Sequence, residues 1–216
     1  MNISLSPVVL LTLIVLLSSC ASQSDNATAT PDTKNETGER LLATPPKDWI
    51  NVFQLNNSNT RLTDFIPPDQ SKADWSTKLS FEAHTTKALS LDPIELLFSE
   101  AETDKSRCNR VSHYNIFSGL ENNYQTSVRL FLCGENTFTG RGEIKLIKAI
   151  RGNDYLYSVR IVRRIPPFDV NDEDPPKQEV ALWSNYLRKI SLCDGSSDHP
   201  CRQTGNEAES QGNSRQ

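Results

Sequence analysis

Ten consecutive residues, Val8–Leu17 (VVLLTLIVLL), are apolar apart from one threonine, and they set which part of the 216-residue chain has to fold in water. A bilayer-spanning helix needs about 20 apolar residues, whereas the core of an export signal needs about 7–15. The run has the second length, so residues 1–19 are read as a signal peptide. Met1–Pro7 contains no Lys or Arg, and the positive flank usual before such a core is reduced to the chain's own amine.

Leu17-Ser18-Ser19-Cys20 follows directly and is similar to a bacterial lipobox, in which lipid joins the cysteine thiol and cleavage leaves that cysteine first. The segment behind it, ASQSDNATATPDTKNETGERLLATP, is dominated by small and polar residues with little to bury. Residues 20–46 are therefore expected to be a lipidated Cys20 and a flexible tether. Ala21 in place of Asp favours outer-membrane sorting, by analogy with enterobacterial rules. The folded part is then expected in the periplasm, partnered with a membrane through its N-terminal lipid.

The cysteine count agrees with that expectation. Five cysteines are an odd number for an exported chain, and lipidation of Cys20 leaves Cys108, Cys133, Cys193 and Cys201. Three pairings are open. Cys108–Cys133 and Cys193–Cys201 are favoured, the second closing the local loop CDGSSDHPC. No C-x-x-C occurs, which disfavours zinc. A formal charge of −4 disfavours bulk nucleic-acid binding.

Residues 47–201 are expected to form one domain of roughly 150 residues, and 202–216 a disordered tail. Trp49–Leu55 and Arg61–Ile66 read as strands, the latter stopped by Pro67-Pro68. In Asp74–Ala83, Trp75, Thr77, Leu79, Phe81 and Ala83 alternate with Ser76, Lys78, Ser80 and Glu82, the period of a strand with one packed and one wet face. Asp92 and Pro93 read as the start of a helix carrying Ile94, Leu97, Phe98 and Ala101, running to about Lys105. Arg110–Phe117 and Tyr124–Cys133 form a strand pair with a turn at Ser118-Gly119. Glu143–Ile150 and Tyr155–Arg163 form another across Arg151-Gly152-Asn153-Asp154. After Pro166-Pro167 and the acidic 169–174 stretch, Val180, Trp183, Leu187 and Ile190 mark a last helix. The order βββαββββα predicts an α+β fold, a mostly antiparallel sheet with both helices packed on one face. By strand order alone it is similar to a PsbP-like sandwich.

Catalytic signatures are lacking. His84, His113 and His199 have no metal-ligand spacing, and no G-x-S-x-G elbow occurs. TGRGE at 139–143 lacks the Lys and Ser/Thr of a phosphate loop. The acids at 100, 102 and 104 and at 169–174 sit in polar stretches. Neither cofactor nor metal is expected. The one polar feature that stands out is a group of bases on the last hairpin, Lys145, Lys148, Arg151, Arg160 and Arg163 with Arg164. They are a candidate patch for lipid phosphates or an acidic partner, although alternation puts Lys145 and Lys148 on opposite faces.

The stretch TGRGEIKLIKAIRGNDYLYSVRIVRRIPPFD (Thr139–Asp169), with Ser191-Leu192-Cys193-Asp194 and the earlier DFIPPDQSKADWSTKLSFEAH (Asp64–His84), resembles a family of uncharacterised proteobacterial envelope proteins. That resemblance implies an exported α+β domain and no assigned activity. The expected role is a non-enzymatic envelope binding or assembly module, partnered with another envelope protein. A carrier or sensor of a small apolar or anionic ligand is the alternative, and a cell-wall hydrolase comes third.

Overall fold

The computed structural model describes residues 38–171 and 177–201. The signal peptide, Cys20, most of the tether and the tail lie outside the described residues. The elements are β1 (Arg40–Leu42), β2 (Ile50–Asn56), β3 (Thr60–Ile66), β4 (Thr77–Thr85), α1 (Pro93–Arg107), β5 (Val111–Glu121), β6 (Tyr124–Asn136), β7 (Arg141–Arg151), β8 (Tyr155–Ile165), α2 (Lys177–Lys189) and β9 (Ser191–Cys193). Seven strands form one antiparallel sheet in the order β2-β3-β4-β8-β7-β6-β5, and β1 pairs with β9 in a separate ribbon. The fold is α+β. No helix among the described residues is long and apolar enough to cross a membrane.

The two helices lie on opposite faces of the sheet, not on one face as the sequence suggested. Leu97 and Ala101 of α1 pack on Phe131, Ile147 and Ala149. Leu187 and Ile190, at the end of α2 and just past it, pack with Leu192 on Leu130, Leu132, Leu146, Val159 and Ile161. These two sets alternate along β6 and β7, so the central strands are buried on both sides. The topology supplies the reason. β4 and β5 run parallel at the two ends of a five-strand stretch, so α1 is a crossover spanning one face. The chain after β8 then turns round to the other face. Each fully buried Leu or Ile in these layers stabilises by roughly 1.5–3 kcal/mol.

Local chemistry starts α1 where the sequence placed it. Asp92 accepts from the Glu95 N–H at 2.8 Å while Glu95 accepts from the Asp92 N–H at 2.9 Å, a reciprocal cap around Pro93. The buried stripe is Pro93, Leu97, Ala101 and Asp104. Ile94 and Phe98 from the expected stripe are instead 41% and 49% exposed, with the Arg129 guanidinium 4.2 Å above the Phe98 ring.

Three further expectations change. The β5–β6 turn is at Asn122-Asn123, both at positive φ (49° and 62°), and Ser118-Gly119 lies within β5. Two adjacent left-handed residues give the turn whose twist matches a hairpin, and asparagine tolerates that conformation. Residues 38–46, counted with the tether, belong in part to the fold. Leu41 pairs with Leu192, and Glu39 is fully buried, accepting from the Asn153 N–H at 2.6 Å. Finally, β9 follows α2 directly and was not anticipated.

Candidate functional site

The five bases singled out in the sequence are not brought together as an exposed patch. Lys145 (5% exposed) and Lys148 (1%) are buried on opposite faces of β7. Lys148 gives its ammonium protons to the Leu187 and Ile190 carbonyls, at 3.1 and 2.7 Å, and to Glu121. Arg151 donates to the Leu89 and Leu91 carbonyls. Arg163 faces α2, where it meets Glu179 at 3.3 Å and donates to Ser76 and Thr77. Of these five, Lys145 and Arg160 share a site with the neighbouring Arg164, a groove that none of them was expected to form.

That groove follows from incomplete coverage. α1 shields β6 and β7 on its face of the sheet, and leaves β2, β3, β4 and β8 open beside it. The polar half of the β4 alternation (Lys78, Ser80 and Glu82) forms the floor with Leu62 and Asp64 of β3 and Arg160, Val162 and Arg164 of β8. Glu100, Asp104 and Arg107 of α1 form one wall, and the space is about 340 Å³.

Its charges are mostly matched. Glu100 bridges Lys145 and Arg160, each at 2.9 Å, and Asp104 binds the same Lys145 ammonium. Lys78 meets Asp64 at 3.0 Å, and Arg164 meets Glu143 at 3.4 Å. Trp75 carries the Arg164 guanidinium 3.6 Å from its ring centre and the Lys78 ammonium at 4.9 Å. Burial works to raise the Glu100 pKa, but the Arg160 and Lys145 cations outweigh it and hold the carboxyl below the usual range. For Asp104 burial prevails over Lys145 and the pKa is raised. Asp64 Oδ1, Asp104 Oδ2 and Arg160 Nε are buried with no hydrogen-bond partner among the described residues. Buried polar atoms are normally satisfied, so these three stand out in the polar layer beneath the groove.

The histidines are structural in their contacts. His84 bonds Glu82 at 2.8 Å and Thr60 at 3.1 Å through its two ring nitrogens. His199 stacks on Tyr124 at 4.1 Å and meets the Asn122 carbonyl, while His113 lies 6.4 Å from Phe131. Among the described residues no group of three or more His, Cys, Asp or Glu could hold a metal. The disulfides are Cys108–Cys133 and Cys193–Cys201, with Cα separations of 5.6 and 5.0 Å. Cys20 lies outside the described residues.

No family model and no curated protein matches the chain. Among solved structures, the chain is similar to the Ran-binding protein Mog1p of Saccharomyces cerevisiae at 12% identity and TM-score 0.45, over 70% of this chain and 89% of that one. It is also similar to the cyanobacterial PsbP (CyanoP) of Synechocystis at 12% identity and TM-score 0.43, over 73% and 94% respectively.

Proposed function

We propose that this chain is a lipid-anchored, non-enzymatic module of the bacterial envelope, held at the outer membrane through Cys20 with its domain in the periplasm. In this reading it binds a polar ligand or partner in the groove beside α1, and belongs with the proteobacterial envelope proteins it resembles. The observation that carries the reading is the groove itself: a space of about 340 Å³ lined by charged side chains. A space of this size falls within the ~300–1,000 Å³ of small-molecule sites.

The layout also suits a tethered module. The N-terminal strap enters the fold at Glu39, beside the β7–β8 turn, whereas the groove extends toward Asn136 and Arg107 at the opposite end of β7. Eleven strand residues separate those ends by about 35 Å, so the anchor and the groove do not compete for space. A carrier of apolar ligands is less well supported, because the space beneath α2 is only about 10 Å³. Hydrolysis is less well supported still. Glu100 and Asp104 are one turn apart on a single helix and both hold Lys145, whereas glycosidase carboxylates face each other across a cleft.

Two measurements test the reading. A palmitate analogue should label the wild type and not Cys20→Ser; equal labelling would refute the anchor. Crosslinking in intact envelopes should capture a species that Arg107→Glu/Arg164→Glu loses and that Leu182→Glu, on the exposed side of α2, keeps. Identical capture by all three would rule out the groove.

A further inference from the structure

We infer that Lys145 and Asp104 join in an isopeptide bond, the Lys145 Nζ condensing with the Asp104 side-chain carboxyl while Glu100 relays a proton. The three groups meet at one nitrogen. Lys145 Nζ donates to Asp104 Oδ1 and, at 2.9 Å, to Glu100 Oε1, and Arg160 holds Glu100 Oε2 at 2.9 Å. A nitrogen hydrogen-bonded to a carboxyl oxygen stands about 3–3.5 Å from the carboxyl carbon, the separation from which reaction proceeds. Asp104 lies in the last turn of α1 and Lys145 within β7. Leu97 and Ala101, packed on Phe131 and Ile147, hold the helix and the strand in that register.

Burial separates this pair from the other lysine–carboxylate pairs. The Lys145 and Asp104 side chains are 7% and 6% exposed. In Lys78–Asp64 the lysine is 25% exposed, and in Lys148–Glu121 the glutamate is 30% exposed, so water supports the charged forms there. Beside Lys145 the Phe131 ring centre is 5.6 Å from the nitrogen. Holding both charges out of water is costly, and passing one proton along their hydrogen bond gives a neutral amine and a neutral acid. Burial already raises the Asp104 pKa, with the Glu100 and Glu143 charges adding to it. Asp104 Oδ2 is buried without a partner among the described residues, so the carboxyl can turn its face to the nitrogen without breaking a second hydrogen bond.

The condensation needs no outside reagent. One ammonium proton passes to Asp104, leaving an amine and a carboxylic acid. The amine lone pair forms the Nζ–Cγ bond, and the C=O electron pair moves onto oxygen. Glu100 takes a second proton from the nitrogen and gives it to the Asp104 hydroxyl. The C=O then re-forms, the other Cγ–O bond breaks and water leaves. Of the three ammonium protons, one stays on the amide and two leave with the water, and Glu100 ends as the carboxylate it began. The bond closes a loop of sequence separation 41. Together with Cys108–Cys133 it ties the end of α1 to both strands beneath it, and a reductant opens only the disulfide. The α1 wall of the groove is then fixed covalently, whatever the groove binds.

The test is peptide mass spectrometry on the full-length protein, purified in a neutral detergent, reduced, alkylated and digested with trypsin. The bond blocks cleavage after Lys145, so a branched species of residues 88–105 and 142–148 should appear, one water lighter than the two peptides together. Fragmentation should place the branch at Asp104 and Lys145. Lys145→Arg and Asp104→Ala should lack it. Glu100→Gln keeps both partners and should carry it at no more than about a tenth of the wild-type yield. Wild-type peptides that are unbranched and cleaved after Lys145 overturn the proposal and leave an ion pair. That outcome is read on the wild type alone, so it does not depend on any variant folding. A branched species equally abundant in Glu100→Gln overturns the relay.

Discussion

At Lys148 a charge is buried where the sequence pattern calls for an apolar side chain, and the ends of two elements explain it. The ammonium satisfies the Leu187 and Ile190 carbonyls at the close of α2, and Glu121 at the end of β5. Lys148→Met would leave the buried Ile190 carbonyl without this donor, while the Leu187 carbonyl keeps the Ile190 N–H and the partly exposed Glu121 carboxylate turns to water. It should cost about 2 kcal/mol in urea unfolding. Burial lowers the Lys148 pKa below 10.5, against the pull of Glu121. Between that lowered value and 10.5 the unfolded chain holds more protons here than the folded one, so this residue makes stability rise with pH. Below both values its effect is constant. The difference in urea midpoint between about pH 8 and about pH 10 should therefore be larger for the wild type than for Lys148→Met. Equal differences would mean that the ammonium is not desolvated. Gly152 gives a second residue-scale case, since a Cβ there would fall onto the Glu39 carboxylate. Gly152→Ala should destabilise by about 1–2 kcal/mol. In a Glu39→Ala background the loss should shrink, a non-additivity that a double-mutant cycle measures.

Among the elements, the joint between α1 and β6 is where sequence and structure agree best. The cysteines at 108 and 133 stand at a helix end and in a strand, and they are bonded. Replacing both by Ala opens a loop of sequence separation 25, and should lower the unfolding free energy by about 3 kcal/mol. Helix and strand identities were legible because alternation along Thr77–Thr85 and the Asp92–Glu95 cap are local signals. The face each helix covers was not, because it depends on which strands end up parallel, a property of strand order. The groove was half legible: Lys78, Ser80 and Glu82 read as a wet face, but nothing local says that Glu100 and Asp104 will overhang it. The basic patch failed for the same reason, since its members were grouped by hairpin and the structure sorts them by face. The sheet edges were also unreadable from composition. β2 carries no charged residue and β5 only its terminal Glu121, yet each has a bulge, at Asn51/Phe53 and Asn115/Phe117. Bulges turn an edge away from foreign strands where charges are lacking.

For the whole molecule the question is where the domain begins. Composition put the boundary at 46/47, because RLLATP is short and follows a polar tract. The contacts put it earlier. Glu39 lies against the β7–β8 turn, Leu41 pairs with Leu192 in the apolar core, and the Tyr186 hydroxyl donates to the Thr44 carbonyl at 2.7 Å. These contacts tie the entry of the chain to β8, α2 and β9, and β9 is joined by Cys193–Cys201 to the loop that docks on the Asn122-Asn123 turn. A chain starting at residue 47 would lose all three contacts and uncover Leu192. A chain starting at residue 38 keeps them. Against the full protein, the 38-start form should match in urea unfolding, while the 47-start form should fall by about 2–3 kcal/mol, from one exposed leucine and lost strand pairing. Hydrogen exchange would locate the loss: the amides of Leu192 and Asn153 should exchange faster in the 47-start form, and those of β6 should keep pace with its lower global stability. If the 38-start and 47-start forms unfold together, the strap is an ornament on the sheet. If they separate as expected, the strap from Glu39 to Thr44 is part of the domain, and its contacts with the β7–β8 turn, α2 and β9 hold the sheet and that ribbon together.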